Sequence, residues 1–362
     1  MTSIANIQSA CLCFLDAEGE PTQPLPEFVR DPTALIPLYR AMVLTRAFDA
    51  KAIALQRTGQ LGTFASSLGQ EAVGVGVATA MNRDDVLLPS YRDHSAQLLR
   101  GVSMVEILLY WSGDERGSDF AKTRRDFPSC VTIGAQVCHA AGVAYAMKLR
   151  HEAHVAVCII GDGATSKGDF YEGMNLAGAW KLPLVLIINN NQWAISVPRS
   201  RQSATTTLAQ KAVGAGIEGR VVDGNDVIAV RQATSAALDR TRDGGGPVLI
   251  EALTYRLGDH TTADDATRYR NAEDVSRQWQ FEPIARLRKY LLRQGVWNPQ
   301  QEQQLTDACT EDVSRAVVDY QAVAAPTVEQ MFDHLYATLP QALREQRAQA
   351  LHFAACAATD RG

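Results

Sequence analysis

Two neighbouring apolar segments of the chain each end in polar residues that could bind a ligand. Residues 155–160 are apolar and mostly β-branched and lead into Gly161-Asp162-Gly163, and residues 184–188 lead into Asn189-Asn190-Asn191. Such runs are typical of strands that a parallel sheet buries on both faces. Because open α/β sheets bind ligands at the carboxyl ends of their strands, we expect a carboxylate and an amide at one edge. Oxygen ligands beside glycines that let the backbone approach closely suit a hard cation bridging to a diphosphate.

Three phosphate-binding patterns compete for this segment. A dinucleotide-binding loop needs a glycine where Ser166 stands, and a P-loop needs Gly-Lys-Ser/Thr where the chain has Lys167-Gly168-Asp169. The third pattern, Gly-Asp-Gly followed by Asn-Asn, resembles the fingerprint of thiamine diphosphate enzymes. It implies a Mg²⁺ ion held by the Asp162 carboxylate, the Asn191 amide oxygen and the Trp193 carbonyl, with diphosphate oxygens and water completing the shell.

The elements that must position these residues alternate along the chain. Between about residues 85 and 255, short apolar runs alternate with segments of helical periodicity. This pattern predicts an α/β fold with a doubly wound, mostly parallel sheet and helices on both faces. Strands are predicted at residues 86–88, 155–160, 184–188, 220–222 and 248–253, and helices at about 32–56, 101–111, 133–150, 170–180, 207–215 and 226–240.

The chain as a whole is predicted to have three parts. Residues 1–30 contain Pro21, Pro24 and Pro26 and little periodicity, which predicts an extended N-terminal arm over the surface, of a kind that often reaches a partner subunit. Residues 31–345 are predicted to form one domain, with a C-terminal layer of helices from about residue 273. Residues 346–362 are predicted to be a C-terminal tail.

Two further polar segments follow predicted strands. Tyr91-Arg92 comes shortly after the strand at 86–88, and the forked Arg92 guanidinium can pair bidentately with phosphate oxygens. Residues 254–270 form a long polar stretch after the strand at 248–253, as functional loops do. That stretch contains His260 close to arginines, which makes this histidine a candidate functional residue.

Composition excludes several classes of function. The 362-residue chain has a net charge of −5 with acidic and basic residues interspersed, which provides no basic field for nucleic acid and no polybasic patch for a membrane. It contains no apolar run of about 18 residues and no basic leader before one, so we expect a cytoplasmic protein. Cys11-Leu12-Cys13 lacks a matching pair of Cys or His residues, which argues against a zinc site.

Over about residues 30 to 345 the chain resembles the α subunit of the two-chain 2-oxo acid dehydrogenase E1 component. The stretches that carry the resemblance are SYRDHSAQLLRGVSMVEILLYWSGDERG (90–117), IGAQVCHAAGVAYAMKLR (133–150), the Gly-Asp-Gly to Asn-Asn segment and LTYRLGDHTTADDATRYR (253–270). SGDERG and TLAQKAVGAGI (207–217) are most similar to the pyruvate dehydrogenase branch of the Gram-positive bacterial type. A Gly-Gly-Ser-Met-His segment of other pyruvate and acetoin enzymes is absent, as it is in the branched-chain enzymes, which keeps a branched-chain substrate as an alternative.

The resemblance implies roles for individual residues. Arg92 would bind the diphosphate, Ile133 would be the apolar wedge that holds the cofactor bent, and His260 would be catalytic. Thr261 occupies the place of a serine that is phosphorylated in mitochondrial relatives. The residues implied in cofactor binding are Tyr91, Arg92, Val131, Ile133, Asp162, Gly163, Ala164, Asn191, Arg256 and His260, and those implied in metal binding are Asp162, Asn191 and Trp193.

The resemblance also implies an activity and partners. The expected reaction is oxidative decarboxylation of pyruvate, a small 2-oxo acid, with reductive acetylation of the lipoyl group of the E2 component. The glutamate that activates the cofactor belongs to the β subunit in this family, so the site is expected to be shared within an α₂β₂ heterotetramer. Alternatives are a branched-chain 2-oxo acid dehydrogenase, a non-catalytic paralogue of the fold and a nucleotide-dependent oxidoreductase.

Overall fold

A five-stranded parallel sheet organises the computed structural model, which describes residues 10–333 and 335–359. Its strands have the spatial order β1-β2-β3-β7-β6, and a two-stranded antiparallel hairpin, β4-β5, lies outside the sheet. The predicted α/β fold is confirmed. The strands are β1 Val86–Leu88, β2 Ala156–Gly161, β3 Leu184–Asn190, β4 Trp193–Ala194, β5 Val197–Pro198, β6 Glu218–Asp223 and β7 Val248–Leu253.

Helices connect the strands and continue to the end of the described residues. Short 3₁₀ turns join several of them, including residues 208–215, which form a 3₁₀ segment where a helix is predicted. The α-helices are α1 Ile36–Arg57, α2 Glu71–Ala80, α3 His94–Arg100, α4 Met104–Ser112, α5 Ala135–Leu149, α6 Gly168–Ala179, α7 Arg199–Gln202, α8 Val227–Arg242, α9 Ala272–Gln278, α10 Pro283–Arg293, α11 Pro299–Gln321, α12 Gln330–Asp333 and α13 Gln341–Thr359.

Both faces of the sheet are covered, which explains why its strands are continuously apolar. α5 and α6 pack on one face, where Phe170 shares an apolar cluster with Cys158. α2, α3 and α8 pack on the other face, where Val230 shares a second cluster with Val157. Since neighbouring residues of a strand point to opposite faces, residues 155–160 must be apolar at every position.

Side-chain caps satisfy the first N–H groups of some of the helices. Ser103 and Glu106 form a reciprocal capping box at α4, and the N-cap Asp226 accepts from the N–H groups of Ile228 and Ala229 at α8. Pro37 lies in the first turn of α1, where proline costs no hydrogen bond, rather than interrupting the helix.

The segment before α1 is held against the body of the chain. Leu12 forms a parallel bridge with Val222 of β6, and the N–H groups of Phe14 and Leu15 donate to the Asp226 carboxylate at 2.6 and 2.9 Å. Leu15 is only 1% exposed. Burying such a side chain stabilises the fold by roughly 1.5–3 kcal/mol, so this part of the predicted surface arm is buried instead. Residues 1–9 lie outside the described residues.

The chain divides after Ala316 into two compact units. The first contains the sheet and the helices up to most of α11, and the second contains the end of α11 with α12 and α13. The predicted tail boundary at residue 346 falls inside α13. Within the described residues, no helix is both long enough and apolar enough to cross a bilayer.

Candidate active site

The carboxyl edge of β2 and β3 borders a cavity of about 500 Å³. Asp162 directly follows β2 and Asn191 directly follows β3, so the parallel register brings them to the same edge. Of the predicted site residues, only Arg256 is not in the wall of this cavity. The others are Tyr91, Arg92, Val131, Ile133, Asp162, Gly163, Ala164, Asn191, Trp193 and His260.

Asp162 is a buried carboxylate with little compensation from its surroundings. It is 2% exposed, and its Oδ2 accepts a hydrogen bond from Gln202 Nε2 at 3.0 Å. Burial raises the pKa of Asp162 to about 6, although the Gln202 hydrogen bond acts in the opposite direction. A buried carboxylate whose side-chain partner is neutral favours a bound cation, because the cation would offset the cost of burying the charge.

The three asparagines after residue 188 have different partners. Asn190 donates to Glu251 at 2.7 Å, and Asn189 accepts from the Thr254 hydroxyl at 2.8 Å. Asn191 accepts from the backbone N–H of Trp193 at 3.2 Å. Its side-chain oxygen retains a second lone pair for a metal, so Asn191 matches the predicted role best.

A sharp turn after Asn191 produces the β4-β5 hairpin. Gln192 and Ile195 have φ angles of 73° and 54°, in the left-handed region that residues with a Cβ rarely adopt. The sequence does not predict this hairpin, because neither Gln192 nor Ile195 is a residue type that signals a left-handed turn. Its consequence is that Trp193 lies in the cavity wall beside Asn191.

The glycines around Asp162 differ in the space that surrounds them. A Cβ on Gly163 would lie 2.7 Å from the Cβ of Ala194 on the hairpin, which is too close for any other residue. A Cβ on Gly161 would meet nothing within 4 Å. Gly163 is therefore required for packing of the hairpin, and Gly161 lies where the cavity is open.

Arg92 lies in the cavity wall and is fixed there by backbone oxygens. It is 6% exposed and donates to the Ser66 carbonyl at 2.6 Å and to the His260 carbonyl at 2.9 Å. The His260 N–H in turn donates to Asp264 at 2.9 Å. These contacts hold the Arg92 guanidinium against the polar loop at residues 254–270, beside the cavity.

Arg256 lies behind this wall rather than in it. Its side chain is 1% exposed and donates to the Ile195 carbonyl at 2.9 Å and the Tyr269 hydroxyl at 2.7 Å. Burial lowers its pKa from the ordinary arginine value. Arg256 therefore connects the hairpin to the His260 loop, and it contacts two residues of the cavity wall, Ile195 and His260.

The protonation of His260 follows from its two arginine neighbours. Its Nδ1 lies 3.3 Å from an Arg92 nitrogen and 3.4 Å from an Arg256 nitrogen. A guanidinium can only donate, so Nδ1 is an acceptor and the ring proton is on Nε2. Burial, followed by the charges of Arg92 and Arg256, lowers the pKa of His260 to about 4. The imidazole is therefore neutral near neutral pH.

We expect the His260 ring to titrate near pH 4 in the free protein, well below its ordinary value of 6.5. Between pH 4 and pH 6.5 the unfolded chain binds more protons at this histidine than the folded chain does. The stability that neutral His260 contributes is therefore fully present above pH 6.5 and is lost as the pH falls towards 4. NMR titration of histidine ring protons, assigned with His260→Gln, measures this directly. An assigned midpoint near 6.5 would refute the neutral arrangement.

Trp111 lines the cavity, although the sequence did not predict it as a site residue. Its Nε1–H donates to Nε2 of buried His94 at 3.2 Å, and His94 Nδ1 lies 3.1 Å from Asp49. The Trp111 ring contacts the edge of Tyr91, and the Tyr91 ring contacts His260. The only sequence signal for Trp111 was its position inside the family-like stretch at residues 90–117.

The polar side chains of the cavity wall fit a ligand that carries oxygen atoms. Gln70 Nε2 and Gln136 Oε1 are buried without a hydrogen-bond partner, and both residues line the cavity. Leaving such atoms unpaired costs roughly 1–3 kcal/mol each, which a ligand with donors and acceptors would recover. Within the described ranges, no cluster of three His, Cys, Asp or Glu side chains could hold a metal alone. A metal at Asp162 therefore depends on ligand oxygens.

Comparison with known proteins places this chain in a family. Residues 39–329 match the model of the dehydrogenase E1 component. The chain is 42% identical over 313 residues to a pyruvate dehydrogenase E1 component subunit alpha of Staphylococcus aureus, covering 86% of this chain and 85% of that protein. The protein of the same name from Staphylococcus epidermidis is 41% identical, with the same coverage of both chains. This chain therefore belongs to the dehydrogenase E1 component family.

Proposed function

We propose that this chain is the α subunit of a pyruvate dehydrogenase E1 component and that its cavity binds thiamine diphosphate with Mg²⁺. The observation that carries the proposal is the shared cavity of Asp162, Asn191, Arg92 and His260 in a chain of this family. The family is generally dependent on thiamine diphosphate. Pyruvate is proposed as the substrate because the similar staphylococcal proteins are named as pyruvate dehydrogenase subunits.

The proposed metal site uses few protein ligands. The Asp162 carboxylate, the Asn191 amide oxygen and the Trp193 carbonyl are its ligands from this chain, and diphosphate oxygens and water supply the rest. Mg²⁺ is usually bound in this way, through one or two protein groups together with phosphates. Arg92, held by two backbone carbonyls, offsets the remaining negative charge of the diphosphate.

His260 acts on the reacting end of the site. When bound, the cofactor supplies a nucleophilic carbon and an electron sink for decarboxylation of the 2-oxo acid. Because His260 carries its proton on Nε2, it can donate a hydrogen bond where negative charge develops on substrate oxygen. Arg92 and Arg256 hold Nδ1 as an acceptor and so maintain this tautomer.

The site is proposed to be completed by a β subunit in an α₂β₂ assembly, which then passes the acyl group to the E2 lipoyl group. Among the described residues that line the cavity there is no glutamate to activate the cofactor. Val131 and Ile133 at its wall are 63% and 40% exposed, which fits apolar residues that a cofactor and a second subunit cover. The cytoplasmic location stays a prediction.

We expect the purified chain alone to show almost no decarboxylation of pyruvate and to become active when its β subunit is added. The physical reason is that the described residues of the cavity wall include no glutamate to activate the cofactor. The assay measures CO₂ release with thiamine diphosphate and Mg²⁺. Robust turnover by the chain alone would disprove the shared site.

The substrate is tested on the same reconstituted complex. Pyruvate, 2-oxoisovalerate and acetoin are compared by kcat/KM, with transfer to a lipoyl domain as the second readout. The proposal predicts the highest value for pyruvate. A preference for 2-oxoisovalerate would instead identify a branched-chain enzyme and would leave the cofactor site unchanged.

A further inference from the structure

Gln70 lies in the cavity wall immediately before α2, beside the Asp162 and Asn191 edge. Gln70 is 3% exposed. It lies outside the Gly-Asp-Gly to Asn-Asn pattern, which assigns it no role. Its side-chain oxygen accepts a hydrogen bond from Asn191 Nδ2 at 3.0 Å, whereas its Nε2 has no partner. One backbone N–H group determines the orientation of the side-chain amides of Gln70 and Asn191.

That group is the N–H of Trp193, which lies 3.2 Å from the Asn191 side chain. A backbone N–H can only donate, so the end of the Asn191 amide that faces it must be Oδ1. The other end is then Nδ2, a donor, which requires Gln70 to present Oε1 to it. The Gln70 Nε2 must consequently point away from Asn191 as a buried donor without an acceptor.

The missing acceptor has a definite chemistry. Asn191 offers an oxygen to a cation, whereas the Gln70 Nε2–H points away from Asn191 and needs an acceptor, which a bare cation cannot be. A metal with its own anionic oxygens satisfies both residues at once. On the proposed thiamine diphosphate function, we propose that Gln70 is a further cofactor-binding residue: Oε1 keeps the Asn191 amide oxygen turned towards the metal, and Nε2–H donates to a diphosphate oxygen.

Two substitutions separate these contacts in the reconstituted α/β complex. Gln70→Glu keeps the acceptor for Asn191 but replaces the donor with a negative charge, and Gln70→Met removes both polar atoms at similar volume. We expect the Kd for thiamine diphosphate in Mg²⁺ to rise at least about tenfold in both variants, since a hydrogen bond to a charged group is lost. Gln294→Glu, an exposed position on the same chain, is the matched charge control and should bind as wild type.

The readout is calorimetric titration, with inorganic diphosphate and thiamine as competitors. Gln70→Met should weaken the binding of inorganic diphosphate by the same factor as the binding of the cofactor. The affinity for thiamine, which lacks phosphates, should be unchanged. Equal weakening of thiamine would show a merely structural effect and overturn the proposal, as would cofactor binding at wild-type affinity in both variants. Failure of the wild-type complex to bind thiamine diphosphate would overturn the proposed function as well.

Discussion

Replacing Asp162 with alanine is expected to weaken Mg²⁺-dependent binding of thiamine diphosphate to the assembled protein by about a hundredfold or more. Asp162 is the single carboxylate in the described part of the cavity wall. It is buried with a neutral hydrogen-bond partner, Gln202. Removing it leaves an amide and a carbonyl to hold the metal, which is too little charge for a strongly hydrated cation. Calorimetric titration should show the Kd rising by about a hundredfold or more, since buried charge pairs broken on one side cost about 3–5 kcal/mol.

Asp162→Asn is the matched comparison for this result. It retains an oxygen at the same position and the shape of the side chain but removes the negative charge. We expect affinity between those of the wild type and the alanine variant, with a higher Mg²⁺ concentration needed for half-saturation. Unchanged cofactor affinity in Asp162→Ala would mean that the metal site lies elsewhere.

Replacing His260 with alanine is expected to leave cofactor binding nearly intact and to reduce overall activity by about 10²–10⁴-fold, the range for loss of a positioned proton donor. His260 contacts the site from the loop at 254–270 and is not a predicted metal ligand. The two effects are separated by measuring the Kd for thiamine diphosphate and the kcat for transfer to a lipoyl domain on the same preparation.

A control variant is needed to show that the loss of activity is specific to His260 and does not follow from removing any histidine. His352→Ala removes an exposed imidazole on α13 and should leave kcat unchanged. His260→Gln keeps a side chain that can donate a hydrogen bond and is expected to recover part of the lost rate. Full activity in His260→Ala would make this histidine a structural member of the loop.

Much of the sheet could be predicted from the sequence because its strands are buried on both faces. The continuous apolar runs at 155–160 and 184–188 are short and rich in β-branched residues, as strands of a parallel sheet buried on both faces are. The same runs fixed the positions of Asp162 and Asn191, since polar residues that end adjacent parallel strands must share an edge. Here a local pattern and the global fold agree.

The remainder of the site depends on contacts between residues that are distant in sequence. Gln202 reaches Asp162 only because the β4-β5 hairpin turns at Gln192 and Ile195, whose positive φ angles are not signalled by residue type. Arg256, which the resemblance implies in cofactor binding, is not among the residues that line the cavity, and its guanidinium lies 3.4 Å from His260 Nδ1. Propensity and spacing cannot indicate which side of a loop faces a cavity.

The claim that Asp162 and Asn191 hold a metal between the chain and a diphosphate is tested most directly by anomalous diffraction. The reconstituted α/β complex would be crystallised with thiamine diphosphate and Mn²⁺ in place of Mg²⁺. We expect one anomalous peak about 2.1 Å from an Asp162 carboxylate oxygen and Asn191 Oδ1, with diphosphate density beside Gln70 and Arg92. A cofactor bound with its metal peak away from these two side chains would contradict the account.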